Sequence, residues 1–234
     1  MTAPAAFGKI RAIAFDLDNT LWNVGPVIEQ AEARLREWLQ EHCPRIAERY
    51  SPEDMRAARM ELAAQEPHNA HDFTYLRMTS LTRHAQDCGY EPAAAERAFE
   101  IFFAARNDIQ LYDDVRPALD RLRTRYTLAT LSNGNADLAR VGVAGLFAVS
   151  LNARDVGASK PHRRGFDRLA AALAFDAEEI LYVGDDPDHD IRGARAAGLR
   201  TAWMNRHGER WPIDAFVPDV TVADCLQLAA RLEV

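Results

Sequence analysis

Lysine is nearly missing from this sequence: of 28 basic residues, only Lys9 and Lys160 are lysines and the other 26 are arginines. Cysteine is scarce too. Cys43, Cys88 and Cys225 are odd in number and far apart, which argues against a disulfide framework or a zinc site and fits a reducing cytoplasm. No stretch approaches the roughly 20 apolar residues of a membrane span, so no membrane partner is expected. Met1 to Phe7 has no charged region ahead of an apolar run, so no signal peptide is expected either. A net charge of −7 argues against a nucleic-acid partner, because phosphate backbones select basic surfaces. Repeats and low-complexity tracts are absent. What is present is the 48% hydrophobic, 27% charged composition of a globular enzyme. Its 234 residues suffice for a core domain plus a smaller one.

An apolar strand pattern, Ile10 to Phe15, runs directly into Asp16-Leu17-Asp18-Asn19-Thr20. From residue 26 to about 107 the pattern is helical only. Ile28, Ala31, Leu35, Trp38 and Leu39 recur at helical spacing behind Pro26. Ser51-Pro52-Glu53-Asp54 has the cap, first-turn proline and early acids of a helix start. Segments 71–88 and 92–107 read as further helices, with Gly89 as a stop. After Asp113, strand and helix alternate. Strands are predicted at 126–131, 147–151, 180–183 and 201–204, with helices at 114–125, 162–174 and 188–197. Such alternation implies a parallel sheet buried on both faces. The fold class predicted is α/β, a Rossmann-like parallel-sheet core (1–21 and 111–234) interrupted by an all-helical insertion (22–110).

Ligands of open parallel sheets bind beyond the carboxyl ends of the strands. Four polar clusters lie at or near such ends: Asp16/Asp18/Thr20, Ser132/Asn133, Lys160 and Asp185/Asp190. Several carboxylates at one partly dry place repel one another, and a hard divalent cation relieves that repulsion. Oxygen ligands in small number match Mg2+. One carboxylate can attack phosphorus while a second, two residues on, gives and takes protons. Asp16 suits the first role and Asp18 the second, with the Asp18 carbonyl offered to the metal and its side chain left for proton transfer. The transferring group needs fixed donors. Ser132 offers a hydroxyl, Asn133 and Gly134 offer backbone N–H groups, and Lys160 offers an ammonium; Thr20 is counted with these phosphate-binding candidates. In a chain that writes arginine for nearly every other positive charge, Lys160 suits a position between phosphate and carboxylate better than the wide guanidinium fork. Asp185 is the expected direct metal ligand. Asp190 would orient Lys160 or a metal-bound water, Asp186 would hold a second water, and Asp188 would favour the start of the next helix.

These motifs resemble the haloacid-dehalogenase-like hydrolase superfamily. The resemblance rests on Ala14-Phe15-Asp16-Leu17-Asp18-Asn19-Thr20, Leu131-Ser132-Asn133-Gly134, Ser159-Lys160-Pro161 and Val183-Gly184-Asp185-Asp186 through Asp190-Ile191-Arg192-Gly193-Ala194. It implies Asp16 as nucleophile, Asp18 as acid/base, Ser132 and Lys160 on phosphate, and magnesium held by Asp16, the Asp18 carbonyl and Asp185. The helical block then resembles the cap of small-molecule phosphatases, and the substrate expected is a small phosphate ester. Leu21 to Ile28, His71 to Arg77 and Ser132 to Ala136 are similar to a bacterial group that dephosphorylates FMN and the riboflavin precursor 5-amino-6-(5-phospho-D-ribitylamino)uracil. His71, Asp72, Tyr75 and Arg77 are candidate substrate-reading groups of the cap; the alternative is a helix start at Asp72.

Four other readings compete. A dehalogenase usually lacks an acid where Asp18 stands. A phosphonate hydrolase needs a cap lysine, and none lies between residues 10 and 159. A sugar-phosphate mutase uses the same two aspartates. A non-catalytic binding protein would have no need of the full set of side chains.

Overall fold

The computed structural model describes residues 7–233. The start of the chain up to residue 6, on which the signal-peptide expectation falls, lies outside them. The described chain divides into two compact units. One holds the residues up to Asn23, Gln110–Gly134 and Gly142 onward; the other holds Val24–Ile109 and Asn135–Val141.

The first unit is built on six parallel strands: β1 Ala12–Phe15, β2 Thr127–Ser132, β3 Val149–Asn152, β4 Ile180–Gly184, β5 Arg200–Met204 and β6 Val220–Val222. Their order is β3-β2-β1-β4-β5-β6, parallel throughout. β1 and β4 are buried at every position, as strands covered on both faces must be. The chain leaves β1 toward β2 and β3, then returns to β4 on the other side, so the strand order reverses beside β1. In open α/β sheets such a reversal marks the place, at the carboxyl ends of the strands, where ligands bind. Helix Arg163–Leu173 covers one face through Phe166, Leu169 and Leu173, spaced three and four apart. Phe166 is fully buried and meets Tyr182 of β4 edge-on at 5.2 Å. Burial of each such side chain is worth about 2 kcal/mol.

The second unit consists mainly of helices α1 Val24–His42, α2 Pro44–Arg49, α3 Pro52–Gln65, α4 Phe73–Asp87 and α5 Pro92–Arg106. Val27, Ala31, Leu35 and Leu39 form the buried stripe of α1, and the last three pack with Leu81 and Ala85 of α4 and Ala95, Ala98 and Phe102 of α5. Ser51 and Asp54 close a reciprocal capping box at the start of α3, with Pro52 as its first residue.

Three departures from the sequence reading have local causes. β6 and helix Cys225–Arg231 lie beyond the predicted alternation; three residues are too few for a periodic signal. The helix predicted at 188–197 is a π-type turn, Pro187–Arg192, running into Gly193–Ala196. Residues 135–141, assigned to the core by sequence, belong with the helical unit. Asn135 Nδ2 donates to Thr74 Oγ1 at 3.1 Å, and Asp137 N–H donates to Asn107 Oδ1 at 2.7 Å.

Candidate active site

The register of β1 against β4 brings the two acidic motifs together. Phe15 pairs with Val183, and the Asp16 N–H donates to the Val183 carbonyl at 2.8 Å. Asp16 therefore leaves β1 level with Gly184, one residue before Asp185. One carboxylate oxygen each from Asp16, Asp185 and Asp190 lies within 4.8 Å of the other two. Gly184 makes this approach possible, since a Cβ there would overlap the Asp190 carboxylate.

Lys160 supplies the cation. Its buried Nζ donates to Asp16 Oδ1 at 2.5 Å, Asp190 Oδ1 at 2.6 Å and the Tyr182 hydroxyl at 3.0 Å. The lysine's own loop is clamped from β2. Asn133 Nδ2 donates to the Lys160 carbonyl at 3.1 Å, and the Lys160 N–H donates to Asn133 Oδ1 at 2.7 Å. Burial works to strip Lys160 of its proton, but Asp16 and Asp190 outweigh it and hold the ammonium well above its ordinary value. Burial pushes the Asp16 carboxyl well above the usual carboxylate range; Lys160 opposes this, while Asp190 and Asp185 add to it. Burial, then Asp190, pushes Asp185 up to about 7.

With all three ionised, three carboxylates against one ammonium leave an excess of two negative charges, and burial drives the cluster to relieve it by protonation or by a bound cation. A hard divalent cation with oxygen ligands fits that donor set in both charge and chemistry. Asp16 and Asp185 could hold such an ion. Asp190 is already committed, Oδ1 to Lys160 and Oδ2 to the Asp186 N–H at 3.0 Å.

The remaining candidates divide. Thr20 is fully buried and its hydroxyl donates to Asp185 Oδ1 at 3.2 Å. That contact turns the hydroxyl toward the acidic cluster. Ser132 Oγ accepts the Gly134 N–H at 3.0 Å, so that N–H is already engaged. Asn133 contributes its side chain to the Lys160 loop, a role the sequence reading did not assign. Asp18 is not left with an idle side chain: its Oδ1 accepts the Trp22 indole N–H at 2.8 Å. Asp186 caps the following turn, accepting N–H groups of Asp188 and His189 at 2.8 Å. Asp188 sits in that turn and pairs with Arg192 at 3.3 Å.

In the helical unit, the candidate reading groups largely serve the unit itself. Asp72 caps α4 through the Tyr75 N–H, and the Tyr75 hydroxyl donates to Glu66 at 2.7 Å. Arg77 is buried, donates to both oxygens of Glu32 at 2.8 and 3.3 Å, and stacks on Phe102. His71 lies in the turn before α4, half-buried.

Sequence reasoning missed Tyr182. Its hydroxyl donates to the Leu131 carbonyl at 2.7 Å while accepting from Lys160. The available signal was a polar-tipped residue within a strand buried at every position.

A parallel sheet that gathers buried carboxylates and a lysine at its switch point places them where open α/β sheets bind ligands. The family model for haloacid dehalogenase-like hydrolase matches residues 10–198, and the chain belongs to that family. It is 32% identical over 201 residues to the 5-amino-6-(5-phospho-D-ribitylamino)uracil phosphatase YigB of Escherichia coli, with 84% of each chain covered. It is 37% identical to a phosphoserine phosphatase of Thermus thermophilus over 145 residues, covering 59% of this chain and 58% of that one. Among solved structures, 2-haloacid dehalogenase from Pseudomonas syringae pv. Tomato DC3000 superposes with a TM-score of 0.91 at 36% identity, covering 96% of this chain and 98% of that one. Among the described residues, no helix is long and apolar enough to cross a membrane.

Proposed function

We propose that this chain is a magnesium-dependent phosphatase of small phosphate monoesters, with Asp16 as nucleophile and an aspartyl-phosphate intermediate. The observation that carries this reading is the meeting of Asp16, Asp185 and Lys160 at one strand-end crevice, with Asp18 two residues from the nucleophile. In the first step an Asp16 oxygen bonds to phosphorus and the ester P–O bond breaks. The departing oxygen keeps the electron pair and takes the Asp18 proton, leaving as an alcohol. In the second step Asp18, now a carboxylate, removes a proton from water, whose oxygen bonds to phosphorus as the Asp16–phosphorus link breaks. Lys160 holds the charge of the transferring group and fixes Asp16; Ser132 adds a hydroxyl. Magnesium, held by Asp16, the Asp18 carbonyl and Asp185, would neutralise the carboxylate and phosphate charges that face one another. In this reading the helical unit, Val24–Ile109, selects the leaving group.

The substrate proposed is the phosphorylated ribitylaminouracil precursor of riboflavin, or its chemical relative FMN. Support comes from the identity to YigB along 84% of both chains. The likeness to the P. syringae structure favours a second reading, haloacid dehalogenase. Asp18 speaks for the phosphatase, because displacing halide needs no proton donor at that position. The two separate in one assay. Phosphate release from FMN and p-nitrophenyl phosphate is measured with and without magnesium, beside chloride release from 2-chloropropionate. Magnesium-dependent phosphate release that Asp16→Asn lowers by about 10⁴-fold or more is expected. Chloride release without phosphate release would overturn the proposal.

A further inference from the structure

The turn after β1 contains a contact that the reaction steps above do not use. Trp22 is fully buried, and its indole N–H donates to Asp18 Oδ1 at 2.8 Å. Backbone geometry fixes the turn from within. Asn19 adopts a left-handed φ of 62°, its N–H donates to the Trp22 carbonyl at 2.7 Å, and Asp18 and Trp22 form a β-bridge. Other segments fix it from outside. The Leu21 carbonyl accepts the Tyr112 N–H at 3.1 Å. The Thr20 carbonyl accepts Arg206 Nε and Nη2 at 3.0 and 2.8 Å, and Arg206 is itself gripped by both oxygens of Asp114 at 2.9 and 3.1 Å. The indole has little room to shift.

We propose that Trp22 is a positioning residue for proton transfer, orienting the Asp18 carboxyl toward the leaving oxygen. This inference rests on the phosphatase reading. An indole N–H is a donor only. The oxygen that accepts it must present a lone pair along that line, which places the acidic proton on Oδ2. A carboxyl on a short rotatable stem is thereby held in one orientation, and general acid catalysis depends on such placement. If the bond served only to satisfy a buried indole, its loss would affect all substrates alike.

Leaving-group dependence distinguishes the two roles. A nitrophenolate departs without needing a proton, whereas a primary alkoxide needs one. Because kcat/KM covers steps through departure of the leaving group, it isolates the acid role of Asp18 from its later base role. The test compares kcat/KM for p-nitrophenyl phosphate, phenyl phosphate and FMN in wild type and Trp22→Phe. A second variant places 3-benzothienylalanine at position 22, keeping the bicyclic shape while replacing N–H by sulfur, so that folding is preserved. In both variants the loss should grow with leaving-group basicity, from about threefold or less for p-nitrophenyl phosphate to about tenfold or more for FMN. In an Asp18→Asn background the same replacements should not steepen that dependence further. Equal losses on all three esters, or none, would overturn the positioning role while leaving the phosphatase reading intact. Failure of the wild type to hydrolyse any ester overturns both.

Discussion

Lys160 Nζ donates to Asp16 Oδ1 at 2.5 Å, across 144 positions of sequence. The same nitrogen reaches Asp190, so one ammonium separates two buried carboxylates. Lys160→Met removes that cation and leaves both acids facing one another. A destabilisation of about 3–5 kcal/mol is expected in urea denaturation, with loss of phosphatase activity. Lys160→Arg should restore much of the stability but little activity, because the planar fork does not fit the slot of a buried ammonium.

The Tyr182 hydroxyl ties the Leu131 carbonyl to Lys160. Tyr182→Phe leaves that carbonyl without its donor, and a cost of about 1–3 kcal/mol is expected in the same denaturation experiment. Turnover should fall less than in the Lys160 variants, since Asp16 and Asp190 still hold the ammonium.

Chelation with EDTA should silence the enzyme, and added magnesium should restore it. Asp185→Asn should remain silent at magnesium concentrations that saturate the wild type. The Thr20 hydroxyl donates to Oδ1 of Asp185, a proposed magnesium ligand, at 3.2 Å. Thr20→Val, nearly unchanged in shape, should raise the half-activating magnesium concentration by about 10–100-fold. Activity titrated against magnesium checks all three, and an unchanged midpoint in Thr20→Val would contradict the assignment of Asp185 to the metal.

His84 of α4 should give the helical unit a pH-dependent stability. Its ring packs on Tyr50 at a centroid distance of 4.1 Å and its Nε2 lies 3.2 Å from Ser80 Oγ. Burial lowers the imidazole from its ordinary value of 6.5; Arg59 and Arg49 act with it, Asp87 and Asp54 against it. The unfolded chain therefore takes up this proton first as pH falls. The His84 contribution to stability is fully present above 6.5 and is lost as pH falls through the lowered folded value. The thermal midpoint should decline between pH 7.5 and 5.5, and His84→Gln should flatten that decline. Equal slopes in the two proteins would show that another group is responsible.

The sheet was legible because burial on both faces writes continuous apolar runs, as in Ile180 to Val183, bounded by polar strand ends. α3 was legible from its cap, since Ser51 and Asp54 bond each other's backbone within three residues. β6 was not, because Val220–Val222 is held by pairing with β5 and carries no pattern of its own. The roles of Thr20, Asn133 and Arg77 escaped for a related reason. Each spends its side chain on a partner remote in sequence, Asp185, Lys160 and Glu32 respectively.

Sequence alone determined the chemistry available: which carboxylates stand at strand ends, and that one lysine survives among arginines. Helix caps and apolar periodicity, being interactions within a few residues, also fixed most element types. Tertiary structure decided which oxygens are already taken. Strand order and register set the distances among Asp16, Lys160, Asp185 and Asp190, and those distances turn a list of polar residues into a charge-unbalanced site. Hydrogen bonds are short and directional, so only folded coordinates assign them.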